Sequence, residues 1–468
     1  MKELNCAGLW WTPSSDQKLG GTLTFSSSEG ICLSVFGSFE GRGESARAGS
    51  YPVILGVTSD GNLMTLCNCL QSRSHETSSG FKSEDYVAEV AYIGAHFSEP
   101  SQIRFHSADL QYSELSEWVG LSGFKTEHAF EEEGLRQHGV KYTAPKEVTI
   151  TTKKGTLSIR FTFQSSGDRL REVKLGQTVW ISIDAQEELS VDDWHAQFIT
   201  PLQNFLTLAT DKPNSIVDAF VYSKLKTLTM TDDEVIERPI HVIYRTAYRG
   251  AEHGQRLFPG DMLFTFNDIA NRFPAIIDRW LEISTELDSI CNLFFSVQHA
   301  PNMYMEQKFL SIVQAVESYH RRRIRNHELS EEEHRARLTS ITSATPAKHR
   351  EWLNRRLLYS NEPSLRERLK ELIDLMDGVE LPTNAVTTTK EAFIQKVLDT
   401  RNFLVHYDPS LKRRSAEGHT LYLITQVLSL LLECCFLREL GYTPEQCAQS
   451  ITRTLRWKRV ANEALQLK

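Results

Sequence analysis

The side chains best suited to phosphate chemistry lie close together near residue 400. Arg401, Asn402 and His406 follow one another in the segment EAFIQKVLDTRNFLVHYDP. A guanidinium presents a planar set of donors to phosphate oxygens, an amide adds a further donor, and histidine changes its charge near neutral pH. On a helix these three side chains would span an arc of about 140°. The sequence therefore predicts that they line one groove and form a phosphate site.

The elements around this site are predicted to be helical. Apolar residues recur at helical spacing through residues 391–407, and Pro409 follows directly. This spacing places Arg401 on the face that should be buried, where a charged side chain is costly unless it is paired. Because proline disfavours a helical conformation in the residue before it, we expect the helix to end near Tyr407.

The Arg-x-x-x-x-His spacing is weak support by itself, because it occurs elsewhere in the chain. Arg322 precedes His327 and Arg414 precedes His419 at the same interval. The first pair begins in a charged run and the second in a polar loop, so both are predicted to be solvated. Only the spacing that begins at Arg401 falls on an amphipathic helix with an asparagine directly after the arginine.

The first 250 or so residues read mainly as strands. Apolar and polar residues alternate on both sides of Ser/Gly turns in GTLTFSSSEGICLSVFG and in KEVTITTKKGTLSIRFTFQSS, which predicts two hairpins. Such strands favour a β-sandwich or a barrel, with some helix near residues 191–208. We place a β-rich region at residues 1–258, with a break into subdomains near 145–210, and a helical region at residues 259–468.

Helices are predicted in the second region near residues 365–376, 391–407, 421–440 and 444–465. Two polar stretches, 327–347 and 378–389, are interpreted as loops that could contact a substrate. The apolar run 421–437 is shorter than the roughly 20 residues that a bilayer requires, and it is interrupted by Gln426 and Glu433. We interpret it as a buried helix, which predicts no membrane association.

Composition limits the classes of protein that fit. The chain has 468 residues and a net charge of -8, and its 8 cysteines include no Cys-x-x-Cys pair, which is typical of reduced cytoplasmic proteins. No targeting segment is readable at the start. Cys67 and Cys69 with nearby His75 match no common zinc spacing, so they are interpreted as buried thiols. From Pro301 onward basic residues outnumber acidic ones, which favours this part for binding a polyanion.

Two segments resemble known families. RNFLVHY resembles the Arg-Asn-x-x-x-His signature of the HEPN superfamily, which lies in a late helix of a small α-bundle. GLWWTPSSDQKLGGTLTF, followed by Gly37, is similar to the N-terminal domain of the ApeA-type anti-phage proteins. The resemblance implies an α+β multidomain protein, with a β-rich, sandwich-like N-terminal region followed by an all-α HEPN helical bundle.

The resemblance also implies an activity. HEPN nucleases cleave RNA without a metal or another cofactor, leaving a 2′,3′-cyclic phosphate and a 5′-OH, and they generally act as dimers with two motifs facing one cleft. His406 would move protons, Arg401 would stabilise the phosphorane oxygens and Asn402 would bind the phosphate or orient the histidine. The protein would then be an abortive-infection effector with cellular RNA as its target, transfer RNA being one candidate. The N-terminal region would sense a phage-derived trigger or restrain the nuclease.

Further residues are candidates for supporting roles. Glu317 flanks the apolar stripe of an earlier helix, where it could aim Arg401 or simply pair with Arg321 at i+4; both alternatives stay open. Tyr407 and, more weakly, His320 are the other candidates.

A basic run near the end of the same helix has two interpretations. It consists of Arg321, Arg322, Arg323 and Arg325. The run could contact RNA phosphates. It could equally be a solvated helix terminus that is offset by Glu331, Glu332 and Glu333.

Other functions have less support in the sequence. A HEPN module that binds nucleotides or proteins without cleaving them is the main alternative. A metal-dependent hydrolase would need clustered carboxylates or histidines at ligand spacing. A nucleotide-dependent enzyme would show a phosphate-binding glycine loop. Neither pattern is found, so no metal, ATP or NAD is predicted.

Overall fold

The computed structural model describes residues 3–39, 49–78, 80–131, 134–168, 170–224, 228–231, 234–245, 257–376 and 378–466. The chain forms two compact units. A β-rich unit contains Met1–Leu206, Asn214–Leu257 and Phe266–Asp278, and a helical unit contains Thr207–Pro213, Phe258–Thr265 and Arg279–Lys468. The domain boundary expected at 258/259 stays a prediction.

The strands belong to the first unit. They are β1 Leu4–Trp11, β2 Leu19–Ser26, β3 Gly30–Phe36, β4 Ser50–Thr58, β5 Leu63–Glu76, β6 Lys82–Ala88, β7 Val90–Ile93, β8 Arg104–Tyr112, β9 Phe124–Glu131, β10 Gly134–Tyr142, β11 Val148–Thr152, β12 Gly155–Ser166, β13 Lys174–Ser190, β14 Ile216–Tyr222, β15 Leu228–Thr231, β16 Glu234–Glu237 and β17 Ile240–Tyr244.

The main sheet closes on itself at one end. Its order is β11-β12-β13-β8-β14-β17-β7-β5-β4-β1-β2-β3-β6, and β6 also pairs with β5. The six strands from β5 to β6 in this order therefore form a closed barrel. The other seven strands extend the sheet from β5. Both predicted hairpins are present as β2–β3 and β11–β12. The sequence left sandwich and barrel open, and the extra pairing between β5 and β6 makes the barrel.

The barrel interior is filled by alternating side chains. In β2 the inward positions Leu23 and Phe25 are buried, as the two-residue period of a strand requires. Trp10 is fully buried and lies against Gly56, where an added Cβ would come within 2.3 Å of the indole ring. Glycine at position 56 is therefore needed for this close approach.

The helices begin with short segments among the strands and continue to Gln466. They are α1 Leu115–Val119, α2 Val191–Trp194, α3 Thr200–Thr210, α4 Phe266–Ile269, α5 Phe273–Glu286, α6 Asp288–His299, α7 Met305–Arg323, α8 Glu331–Ala344, α9 Ala347–Arg356, α10 Leu365–Leu375, α11 Lys390–His406, α12 Gly418–Glu439, α13 Pro444–Arg453 and α14 Leu455–Gln466. A π-helical turn, His195–Ile199, joins α2 to α3, which confirms the helix expected near 191–208.

α12 is the central helix of the helical unit. By length and composition it could cross a membrane, but 83% of its apolar window is buried inside the protein, as expected for a core helix. α7 packs against both α6 and α12, and α11 packs against α10 and α7. The order of a β-rich region followed by a helical region confirms the predicted α+β fold class.

Three details differ from the sequence-based expectations. The stretch 327–347 was expected to be a loop, but it contains α8, which starts with a capping box between Ser330 and Glu333. Helix α8 has no buried residue, so it lacks the apolar stripe that would have predicted it. The stretch 378–389 includes a 3-10 turn, Thr383–Ala385. The last helix is interrupted at Thr454, whose extended backbone separates α13 from α14.

Candidate phosphate site on helix α11

Helix α11 has well-defined ends. Its N-cap is Thr389, whose hydroxyl accepts a hydrogen bond from the Ala392 amide over 3.1 Å. The helix ends at His406 because Tyr407 adopts a left-handed conformation with φ of 52°. The Tyr407 amide donates to the Phe403 carbonyl, which closes the last turn. The predicted end near Tyr407 is confirmed.

Buried residues set the rotation of α11 about its axis. Phe393 and Val397 are fully buried, and so is Thr400. The Thr400 hydroxyl donates to the Lys396 carbonyl over 2.7 Å and accepts from the Ala416 amide over 2.9 Å. These contacts hold the helix one residue before the candidate site. The direction in which Arg401 and its neighbours face is thus determined by the core of the bundle.

Arg401 is half-buried and lines a groove of about 400 Å³ between α7 and α11. Its Nη1 donates to the Asn402 Oδ1 over 3.2 Å. Within the described part of the chain, no carboxylate lies within 4.0 Å of this guanidinium. No acidic partner among these residues therefore offsets the charge of Arg401 in its half-buried position, where a phosphate would be strongly attracted. The groove is lined by Leu310, Val313, Gln314, Glu317, Ser318, Arg321, Arg401 and Val405.

His406 and Asn402 lie on the neighbouring arc of α11. Asn402 is half-buried and His406 is exposed, and neither belongs to the lining of the groove that contains Arg401. The structure therefore joins Arg401 to Asn402 directly and places His406 one turn later, facing solvent. Val405 and Tyr407 beside it are 47% and 72% exposed. An apolar side chain and an aromatic ring thus flank the imidazole at the surface.

Glu317 lies in the groove with Arg401 but pairs with a different residue. Its carboxylate is 3.7 Å from Arg321 Nη2 at the i+4 position of α7. Arg321 also donates to Glu362 over 2.8 Å. Of the two alternatives that the sequence left open for Glu317, the structure contains the pair with Arg321.

The rest of the basic run is also neutralised. Arg322 donates to the Glu286 carbonyl over 2.7 Å and lies 3.6 Å from the Asp288 carboxylate. Arg323 pairs with the carboxylates of Glu286 and Glu439, and Arg325 pairs with that of Glu371. The acidic partners are therefore not the three glutamates that begin α8. These pairs reduce the charge that Arg322, Arg323 and Arg325 present to RNA, and their RNA-binding role stays a prediction.

A buried polar network that the sequence did not reveal supports this end of α7. Arg368 of α10 is 1% exposed, and its Nη1 donates to His320 Nδ1 over 3.2 Å. The opposite ring nitrogen, Nε2, donates to Glu371 over 2.8 Å, so the imidazole is neutral. Burial lowers the pKa of His320, while the hydrogen bond from Arg325 lowers the pKa of Glu371 to about 2. His320 is thus a structural residue.

The sequence did not single out the other residues that line the groove. Leu310, Gln314 and Ser318 follow one another at i+4 on α7, and Val313 and Glu317 form the neighbouring row. Helical spacing from Glu317 was the available signal. What the sequence lacked was the identity of the facing helix, which depends on tertiary packing.

The fold and the site together define a protein class: a β-rich domain linked to a helical bundle that carries Arg-Asn-x-x-x-His at the end of a late helix. The family model for ApeA N-terminal domain 1 matches residues 5–280. The model for Apea-like HEPN matches residues 310–446, which include the whole candidate site. The chain belongs to the ApeA family of anti-phage HEPN effectors, and HEPN domains are usually ribonucleases. No curated protein and no solved structure matches it.

Proposed function

We propose that this protein is a metal-independent endoribonuclease of anti-phage defence whose site is Arg401, Asn402 and His406. The observation that carries the proposal is the arrangement on α11: a guanidinium without an acidic partner among the described residues, hydrogen-bonded to an amide, with an imidazole one turn further on. A cation, an amide and an imidazole can stabilise and transfer protons at a phosphate without metal ligands.

The reaction is a transesterification within the RNA strand. The ribose 2′-oxygen forms a bond to the adjacent phosphorus as the bond from phosphorus to the 5′-oxygen breaks. The proton of the 2′-OH passes to a base and another proton goes to the leaving 5′-oxygen, so the products are a 2′,3′-cyclic phosphate and a 5′-OH. His406 performs one of these transfers, and Arg401 stabilises the negative charge of the phosphorane oxygens. The Asn402 amide donates to the same phosphate or orients the imidazole.

A second copy of the chain completes the site. HEPN domains commonly dimerise, and in one chain His406 faces solvent between the exposed side chains of Val405 and Tyr407. Docking of two such surfaces would bury these side chains and bring two His406 residues to one cleft. Tyr407 supports the site by ending the helix at that point. Arg321 of the groove adds a contact to the phosphate in addition to its pairs with Glu317 and Glu362.

The β-rich unit is proposed to act as the sensor or regulator of this nuclease. Its trigger is proposed to be phage-derived, and the target is cellular RNA in the cytoplasm, with transfer RNA as one candidate. These roles rest on membership of the ApeA family.

The test is incubation of total cellular RNA with purified protein in EDTA, followed by mapping of new ends with chemistry that distinguishes cyclic phosphates. We expect the unsubstituted protein to produce 5′-OH ends, and His406→Ala to produce none. His419→Ala is the matched control, because His419 has the same spacing from Arg414 and a side chain that is 62% exposed. It should cleave normally.

Two other outcomes would contradict the proposal. Cleavage that survives His406→Ala would place the active site elsewhere. Absence of cleavage by every variant, even with phage lysate as a source of trigger, would favour a HEPN module that binds a partner without catalysis.

A further inference from the structure

The hairpin of α8 and α9 adds nothing to the core. Neither helix has a buried residue. Its base is held by Asn361, which accepts from the Leu329 amide and donates to the Leu329 carbonyl, both over 3.0 Å. A helix without a buried face is not stabilised by a core of its own. The hairpin is thus held at its base by hydrogen bonds, and its surface is available to a partner.

One face of α9 combines cations with exposed aromatic rings. On helical spacing, Lys348, Trp352, Arg355 and Arg356 fall within an arc of about 100°, and Tyr359 in the following turn continues it. Trp352 is 55% exposed and Tyr359 is 71% exposed. We call these five residues the α9 face.

The charge of the α9 face is not neutralised in the way that the basic run of α7 is. Arg355 is 3.9 Å from Glu351, and both side chains are largely exposed, so this pair is weak. Across the described ranges of the chain, Lys348 and Arg356 have no carboxylate within 4.0 Å. The α9 face therefore presents more available positive charge than the basic run of α7, in which every arginine contacts a carboxylate.

We propose that the α9 face binds the unpaired loop of an RNA, which deepens the nuclease function proposed above and rests on it. Lysine and arginine at this spacing can contact successive phosphates, and exposed tryptophan and tyrosine rings can stack on bases. Stacking requires bases whose faces are open. A-form duplexes keep their bases stacked on one another, so the favoured ligand is single-stranded.

One ion pair, between Glu362 and Arg321, connects the hollow beside the α9 face to the candidate catalytic groove. Tyr359 lines a hollow of about 320 Å³ with His327, Arg335 and Glu362. Glu362 accepts a hydrogen bond from Arg321, which lines the groove that contains Arg401. A strand held on the α9 face can therefore pass over this hollow toward Arg401. The α9 face selects and holds the loop, and α11 cuts it.

The test uses the full chain carrying His406→Ala, so that RNA is bound without being cut. A fluorescent RNA hairpin with a ten-nucleotide loop and a fully paired RNA of the same length are titrated by anisotropy at several salt concentrations. We expect tighter binding of the looped RNA. Trp352→Ala and Tyr359→Ala should each weaken it roughly tenfold. Replacing Lys348, Arg355 and Arg356 together by alanine should reduce the salt slope by about 2.

Matched controls separate the α9 face from general effects on the surface. Tyr304→Ala removes another exposed tyrosine, 81% exposed, and should leave binding unchanged. A double Arg171→Ala and Lys174→Ala variant removes exposed cations of the β-rich unit and should also have no effect. Circular dichroism confirms that each variant is folded.

Several results would overturn the inference. They are unchanged affinity of the α9 variants, equal binding of looped and paired RNA, and no RNA binding by the parent. Loss of self-association in the α9 variants, with RNA binding intact, would make the face a protein interface. Failure of the nuclease proposal is seen separately, as absence of cleavage by the unsubstituted protein.

Discussion

Arg401 donates a hydrogen bond from Nη1 to the side-chain oxygen of Asn402, over 3.2 Å. An amide oxygen orients a guanidinium without cancelling its charge, whereas a carboxylate in its place would form an ion pair. This contact occupies the oxygen of the Asn402 amide, so its NH₂ group is the part that can donate to a phosphate. The adjacent arginine and asparagine thus act as one unit that presents positive charge and donors.

The first prediction tests this unit with Asn402→Asp. The new carboxylate would neutralise Arg401 and repel a phosphate, so kcat for RNA cleavage should fall on the order of 100-fold. Steady-state kinetics on the RNA cut by the unsubstituted protein measures the change. Asn402→Ala removes the amide but keeps the charge of Arg401, so its loss should be clearly smaller. Equal losses of kcat in the two variants would show that Asn402 does not act by leaving the charge of Arg401 unpaired.

The second prediction concerns Glu317. Because its carboxylate pairs with Arg321 at 3.7 Å, Glu317→Gln should alter kcat by less than about threefold, the size of effect expected when a partly exposed ion pair is lost. KM should fall slightly, since a negative charge leaves the groove. Single-turnover and steady-state rates on the same RNA distinguish the two effects. A loss of kcat approaching that of Arg401→Ala would instead mean that Glu317 aims Arg401 during the reaction.

Patterns within short stretches of the sequence predicted helix ends and hairpins, because these features depend on the spacing of neighbouring residues. The end of α11 at His406 follows from helical periodicity and Pro409, and the hairpin β2–β3 follows from alternation around a Ser/Gly turn. Closure of the barrel depends on a pairing between β5 and β6 that no single strand specifies.

The candidate site also combines features that local spacing predicts with features that depend on tertiary packing. The arc of Arg401, Asn402 and His406 follows from their spacing, but the groove beside Arg401 is formed by α7, a distant part of the chain. The acidic partner Glu362 of Arg321 likewise lies 41 residues away. The sequence did not predict the hairpin of α8 and α9, because helices without an apolar stripe resemble polar loops. The capping box of Ser330 and Glu333 was its available signal.

The third prediction concerns the buried network under the end of α7. Arg368→Ala leaves His320 without its donor and removes the guanidinium contacts to Asn326 and Glu362. Removing one member of a buried polar pair typically costs about 3–5 kcal/mol, so the free energy of unfolding should fall by this order. Urea unfolding followed by circular dichroism measures it.

Lys370→Ala is the control for this loss, because Lys370 lies on the same helix with an exposed side chain. Its effect should stay within about 0.5 kcal/mol. If the two variants were equally stable, the contacts of Arg368 would not contribute to the stability of the bundle.

The fourth prediction follows from two carboxylates that share one guanidinium. Arg456 of α14 pairs with Glu433 of α12 and with Asp211, whose Oδ1 is 2.5 Å from Nη2. Burial raises the pKa of Glu433 to about 7, and it also raises the pKa of Asp211. Glu433 is therefore protonated in the folded protein at pH values where the unfolded chain has already released the proton.

Unfolding in this range releases a proton, so a rise in pH favours unfolding. The contribution of Glu433 to stability is complete below its ordinary pKa of 4.5 and is lost as the pH rises through about 7. Calorimetry from pH 4.5 to 8 gives the free energy of unfolding of Glu433→Gln and of the unsubstituted protein. As the pH rises, the variant should become more stable relative to the unsubstituted protein, by a total on the order of 1–3 kcal/mol. Because Asp211 shares Arg456 with Glu433, the difference reports the titration of these two carboxyl groups together. Parallel pH profiles would mean that Arg456 keeps both carboxylates ionised.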